Sequence, residues 1–259
     1  MHTAMVTTAT TISMSSPCIV PDWPAPARVR SLVTTRHGGV SLGAYASLNL
    51  GDHVGDDPLA VAENRRRIAV ELPAMPLWLN QVHGHGVIDA GSALPGACTP
   101  DADAAFSRRS GVVCAVMTAD CLPVLFCDQS GSVVAVAHAG WRGLHAGVLE
   151  QTVLAMACPG SQLLVWLGPA IGPTAFEVGD DVRNVFVAAH GEAEVAFKSV
   201  QPGKWLADIY SLARLALGRA GVSAVYGGDC CTVSEPGRFF SYRRDGVTGR
   251  MASLIWLVE

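Results

Sequence analysis

The chain has 259 residues, a hydrophobic fraction of 50% and a formal charge of -4 from 18 basic and 22 acidic residues. That length and apolar content support one large globular domain with a well-filled interior. The balanced charge excludes long-range attraction to nucleic acid or to a membrane surface, and no stretch approaches the ~20 apolar residues that span a bilayer.

A cytoplasmic monomer acting on a small molecule, with no nucleic-acid or membrane partner, is therefore the expectation. Eight cysteines are scattered along the chain, several inside apolar runs, and they read as reduced; Cys114 and Cys127 suit small core positions.

Met1 to Ser16 is rich in Thr and Ser, carries no Lys or Arg, and reads as a disordered tail, which leaves 17–259 as a single domain. After Pro21, Pro24 and Pro26, the apolar segment Val29 to Val33 predicts an entry strand. The glycines of Thr34-Thr-Arg-His-Gly-Gly-Val-Ser41 suit a turn or the close approach of a ligand. Ser47 to Pro58 is a polar loop opening a helix over 58–70, with Asp56 or Asp57 as its cap and Pro58 in its first turn. Leu59, Val61 and Ile68 are expected inward, Arg65 to Arg67 mostly outward. The acidic residues of this loop lack the spacing of a calcium site.

Leu77-Trp78-Leu79 runs into Asn80-Gln-Val-His-Gly84. Val87 and Ile88 predict a short strand, and Gly91 to Pro100 a loop of small residues. Asp101-Ala-Asp103 then precedes a buried strand, Val112 to Met117, that stops at Thr118-Ala-Asp-Cys121. Leu122 to Cys127 and Val133 to Ala137 are further strands joined by a turn at 129–132, the second ending on His138-Ala-Gly. Gly140-Trp-Arg-Gly143 opens a helix over about 144–156, where free amides and Arg142 would favour an anion. A strand over 163–167, a helix near 179–189, a helix over 208–220 and a strand over 222–226 follow. Phe239 to Trp256 predicts a β-hairpin turning at Asp245-Gly246. No repeat or linker divides the chain, so a mixed α/β or α+β domain is expected.

Two apolar runs and the Leu77 run each end on a metal-binding or nucleophilic side chain, so His83, Cys121 and His138 share one structural address. A catalytic zinc takes three protein ligands and keeps a fourth position open, which a His/His/Cys set meets. A cysteine hydrolase without metal, in which a histidine activates Cys121, needs the same residues. A zinc-stabilised binding module is the non-enzymatic alternative.

The blocks Thr34 to Gly43, Ser47-Leu-Asn-Leu50, Gln81-Val-His-Gly84, Thr118 to Val124, Ala137 to Gly143, Leu167-Gly-Pro-Ala-Ile-Gly-Pro173 and Phe240-Ser-Tyr-Arg-Arg-Asp-Gly246 together resemble the YfiH-like laccase-domain, or multicopper polyphenol oxidase, family. The resemblance covers almost the whole chain after the tail. It implies an α+β fold, a single-domain α/β sandwich with a mixed β-sheet like that of cytotoxic necrotising factor toxins, and Zn2+ on His83, Cys121 and His138, with copper possible by substitution.

The activities it implies are phosphorolysis of adenosine, inosine, guanosine and methylthioadenosine, and deamination of adenosine to inosine. Alternatives are a peptidoglycan-editing amidase that removes L-serine from UDP-MurNAc-L-Ser, and a copper polyphenol oxidase. Reduction of dioxygen by a laccase, however, takes several coppers and more histidines than this set supplies. Purine nucleoside and phosphate are the expected small-molecule partners. Cys121 and Asp120 are the candidates for catalysis, and Arg36, Asn49, Arg142, Arg243 and Arg244 for holding substrate or phosphate.

Overall fold

The computed structural model describes residues 18–92 and 99–259; the tail expected over 1–16 and most of the loop over 91–100 lie outside the described residues. In chain order the strands are β1 (Cys18–Ile19), β2 (Val29–Thr34), β3 (Val87–Asp89), β4 (Ala104–Ser107), β5 (Cys114–Thr118), β6 (Leu122–Asp128), β7 (Val134–Ala139), β8 (Leu163–Leu167), β9 (Glu177–Gly179), β10 (Phe197–Gln201), β11 (Lys204–Ala207), β12 (Ala224–Gly227) and β13 (Met251–Leu257). The helices are α1 (Pro58–Ala69), α2 (Trp141–His145), α3 (Val148–Ala155), α4 (Asp180–Ala189), α5 (Ile209–Arg219) and α6 (Tyr242–Asp245).

A six-stranded mixed sheet in the order β12-β8-β6-β7-β4-β3 packs against a four-stranded antiparallel sheet, β1-β2-β13-β5, and a small β10-β11-β9 sheet stands apart. The layering follows from the period of two along each strand. On β7, Ala135, Ala137 and Ala139 join the core beneath α3 and α5, while Val134 and Val136 enter the core between the two sheets. Small alanines on one face let the helices lie close; β-branched valines fill the other. On β5, Cys114 and Val116 face the larger sheet, and Ala115 and Met117 join a third core with Leu48, Leu50 and Ile68 of the α1 side. His138 continues the Val134 and Val136 face. Its side chain is thereby delivered to the end of the space between the sheets.

Most predicted elements form near their predicted bounds, and the differences have local causes. Leu59 is 79% exposed because Asn64, fully buried, takes the inward face of α1 by donating to Ser41 Oγ and to the Asn49 carbonyl. The helix predicted over 144–156 is two helices, parted at Gly147, whose φ of 88° is left-handed and cannot continue a helix. The predicted C-terminal hairpin does not form: residues 242–245 make the one-turn α6, capped by Ser241, and β13 inserts between β2 and β5. Its pairing partners are too distant in sequence for a local turn signal to reveal. Also unpredicted are β4 and the β10-β11 pair, the latter joined through Gly203 at φ 74°. The seven described cysteines form no disulfide, as expected, and Cys114 and Cys127 are fully buried.

The Asp208 carboxylate accepts from the amides of Tyr210 and Ser211 at the start of α5. Asp208→Ala should lower unfolding free energy by about 1 kcal/mol, read by urea denaturation, because those two donors would lose their cap.

Candidate metal centre and its cavity

His83, Cys121 and His138 come together although they arrive on three separate segments: their ligand atoms all lie within 4.8 Å of one another. Cys121 Sγ stands 3.9 Å from His83 Nε2, and the two imidazole rings meet edge to face with centroids 4.8 Å apart. Two ligands of one tetrahedral zinc are roughly 3.5 Å apart, so only a small closing movement is needed for a common ion. A His/His/Cys set of neutral imidazoles and one thiolate suits zinc or copper. Among the described residues this is the one group of three or more such donors that converges.

Each ligand is held by the chain around it. Cys121 sits in the turn between β5 and β6, where Asp120 takes a left-handed φ of 86°, a conformation that Asp tolerates better than most residues. The loop carrying His83 is clamped at three points. The Gln81 amide donates to the Met117 carbonyl at 2.8 Å and accepts from the Met117 N–H at 2.7 Å. Asp103 accepts from the amides of His83 and Gly84 at 3.0 and 2.6 Å, which stabilises the left-handed φ of 60° at His83. Gly143 completes the clamp by close approach: a Cβ there would lie 2.7 Å from the Gly84 carbonyl oxygen. Gly140 likewise leaves no room for a side chain, since a Cβ would lie 3.0 Å from both Cys121 Sγ and the His83 ring. These two glycines serve approach rather than anion binding. Arg142 between them is exposed and lies over the Trp141 ring at 4.4 Å.

His138 is buried and its Nδ1 lies 2.8 Å from Asp103 Oδ1. A carboxylate there holds the proton on Nδ1 and leaves the Nε2 lone pair for a metal. Burial alone would raise the Asp103 carboxyl; the hydrogen bond and charge of His138, with the two loop amides, outweigh it and hold the group below its usual range. Burial would also raise the Cys121 thiol, but His138 and His83 bring it down to about 6. Burial pulls His138 the other way, and Cys121 and Asp103 raise it to about 9. The sulfur thus has the thiolate character that a metal ligand or a nucleophile requires.

The three side chains line a cavity of about 680 Å³, within the range of roughly 300–1,000 Å³ usual for small-molecule sites. Leu79, Met117 and Ala119 supply an apolar wall, and Asn80, Tyr242 and Arg250 supply polar groups.

The other predicted site residues do not line this cavity. Asp120 is spent on structure: Oδ1 accepts from Thr232 Oγ1 at 2.5 Å and Oδ2 from the Arg243 amide at 2.6 Å, so its carboxylate is turned away from the proton-transfer role expected of it. Arg36 donates to the carbonyls of Ala46 and Pro236 and stacks on Phe240. Asn49 is fully buried and bonds Gly51, Asp56 and the Arg250 amide. Arg243 donates to the Glu177 carbonyl, and Arg244 to Thr232, Phe239 and Asp245. In this structure these groups tie loops together. The residue missed was Asp103; Arg250 belongs to the basic cluster of Arg238, Arg243, Arg244 and Arg250 that the sequence offers as a holder of phosphate or carboxylate, and of the four it is the one that lines the cavity. Reading Ala104-Ala-Phe106 as a strand would have drawn attention to the carboxylate at its start.

The profile of the multi-copper polyphenol oxidoreductase laccase family matches residues 30–258. The chain is similar to a Pseudomonas aeruginosa protein named purine nucleoside phosphorylase, at 61% identity over 93% of this chain and 98% of that one. It is also similar to Purine nucleoside phosphorylase YfiH of Escherichia coli, at 56% identity over 94% of this chain and all of that one. Among solved structures, a Neisseria meningitidis protein matches with a TM-score of 0.91 at 57% identity over 94% of this chain and all of that one. YlmD of Geobacillus stearothermophilus matches with a TM-score of 0.83 at 36% identity, over 90% and 93%.

Asp103→Asn should leave the protein folded by circular dichroism yet weaken zinc binding by about 10–100-fold in chelator competition, since the amide cannot hold the Nδ1 proton and both loop amides as the carboxylate does. Unchanged zinc affinity would show that the carboxylate does not orient the ligand.

Proposed function

The chain belongs to the multi-copper polyphenol oxidoreductase laccase family, and from that premise we propose that it is a zinc-dependent purine nucleoside phosphorylase working in the cavity above His83, Cys121 and His138. The observation that carries the reading is the convergence of those three ligand atoms within 4.8 Å on the wall of a cavity sized for a small molecule. The names of the Pseudomonas and Escherichia relatives support the nucleoside as substrate class. Adenosine, inosine, guanosine and methylthioadenosine are the proposed substrates, and deamination of adenosine is a second reaction suited to a metal with an open position.

In phosphorolysis a phosphate oxygen forms a bond to the ribose C1′ while the bond from C1′ to the purine nitrogen breaks, and the purine leaves with the electron pair. His83, Cys121 and His138 would hold the metal, which when bound would supply positive charge to the reaction. The chain's own groups do the rest. Asp103 holds the His138 Nδ1 proton, so it is Nε2, protonated at neutral pH while His138 stands at about 9, that would give up its proton to bind an ion. Gln81 and Gly143 fix the loop that presents His83. Leu79, Met117 and Ala119 offer an apolar surface against which a flat purine can lie and from which water is displaced.

A second reading has one observation in its favour: the Cys121 thiol, brought down to about 6 beside His138, is poised as a nucleophile without metal. Metal removal separates the two.

Incubated with adenosine and phosphate, the zinc-loaded protein should release adenine and ribose 1-phosphate. Cys121→Ala and His138→Ala should lose zinc and at least ~10³-fold of turnover together while remaining folded, the scale expected when a group acting only at the transition state is removed. Full turnover after chelation and metal analysis would instead favour the cysteine hydrolase, and free serine released only from UDP-MurNAc-L-Ser would replace the nucleoside by the muramoyl substrate.

A further inference from the structure

With Arg36, Arg243 and Arg244 consumed by carbonyls and Asp245, phosphate would lack a cationic partner unless another group faces the cavity. Arg250 does. It lies at the entrance to β13, and its position is fixed from several directions. Its amide donates to Asn49 Oδ1 at 2.8 Å, its carbonyl accepts from the Leu50 amide at 3.1 Å, and its NH1 donates to the carbonyls of Thr248 and Gly249 at 3.0 and 3.1 Å. The stem passes directly over Gly51, where a Cβ would lie 2.8 Å from Arg250 Cγ. The absence of a side chain at position 51 creates the channel in which the arginine lies.

The fixed guanidinium makes no direct ion pair among the described residues, although the charges of Cys121 and Asp120 act on it from a distance. Among the described residues no carboxylate pairs with Arg250, and its Nε and NH2 donate to no protein acceptor, whereas the carboxylates of Asp245, Glu194 and Glu235 are matched to Arg244, Arg183 and Arg238. Burial pulls Arg250 below its usual range, which shows that it is partly desolvated. A half-buried cation that lines a cavity and has no direct ion pair is costly unless an anion completes it. Two adjacent guanidinium donors match two oxygens of a tetrahedral oxyanion.

We propose that Arg250 is the residue that binds the inorganic phosphate co-substrate, placing it in the same cavity as the His83, Cys121 and His138 centre. This rests on the phosphorylase reading and adds to it which arginine of the cluster Arg238, Arg243, Arg244 and Arg250 meets the anion. Asn49, predicted as a substrate ligand, acts one step removed: it holds the backbone of the arginine that touches the anion.

The test uses the zinc-loaded protein. Arg250→Gln should raise the KM for phosphate on the order of tenfold or more while the KM for adenosine stays within about twofold, and Arg250→Lys should recover part of the loss because it keeps the charge without the fork. Zinc content and thermal unfolding of both variants establish that the fold and centre persist. An unchanged phosphate KM, or equal rises for phosphate and adenosine, would overturn the assignment. If the wild type shows no phosphorolysis, the reading of the reaction fails separately, and calorimetric titration with orthophosphate decides the anion site: binding by wild type that is lost in Arg250→Gln keeps it, and equal binding or none in either removes it. UDP titrated in parallel distinguishes the source of the phosphate group, since tighter capture of the nucleotide than of orthophosphate would assign the arginine to a nucleotide substrate and overturn the co-substrate role.

Discussion

The Asp103 carboxylate is the constraint from which the site follows. One oxygen serves both His138 Nδ1 and the His83 amide, and the other takes the Gly84 amide, so a single fully buried group orders two of three ligands that are far apart in the chain. Its own place is set by strand pairing. Ala104 pairs with Ala137 in the antiparallel β4–β7 ladder, which puts residue 103 opposite residue 138, and the His138 amide donates to the Asp103 carbonyl at 2.7 Å. A register slip of one residue would send both side chains to opposite faces. The hydrogen bond and the sheet register are therefore one specification.

That specification is possible because the core is layered around it. The alanine face of β7 lets α2, α3 and α5 approach closely, and the valine face packs against the four-stranded sheet. The polar ligand is admitted only at the strand end, where the apolar layer gives way to the cavity. A buried imidazole further into the layer would lack partners, at a cost of roughly 1–3 kcal/mol for an unmet polar group. Arginine is divided between two uses on the same principle. Where carbonyls at loop ends are unsatisfied, as around Phe239 and Thr232, Arg244 caps them; where the wall opens to the cavity, Arg250 keeps part of its fork unspent.

The family name and the donor set point to different chemistry. Reduction of dioxygen at several coppers calls for several convergent sets of imidazoles. Of the five other described histidines, His53 lies beside Asp52 on the wall of the same cavity, His37 contacts the Gly237 carbonyl and His145 packs edge-on against Phe186, and none belongs to a second convergent group of three donors. A single convergent donor set among the described residues suits a Lewis acid better than a multi-copper electron store. No helix among the described residues is long and apolar enough to cross a membrane.

The amino-acid sequence by itself picked out the three candidate ligands. Cys121 and His138 follow or end apolar runs that form strands, whereas the run before His83 forms no strand and makes only isolated bridges at Leu77 and Asn80. The sequence also marked the capped start of α1, because a cap is read from residues adjacent in the chain. Tertiary structure alone decided which charged groups serve the site. Asp120, next to Cys121 in sequence, is drawn off by Thr232 and the Arg243 amide, more than a hundred positions away; Asp103 and Arg250 enter through pairings with β7 and with the Asn49 loop. Adjacency in the chain fixes which side chains alternate on a strand, but a carboxylate or guanidinium is committed by whichever distant backbone group meets it first when the sheets close, and that partner is a property of register and layer order rather than of neighbouring residues.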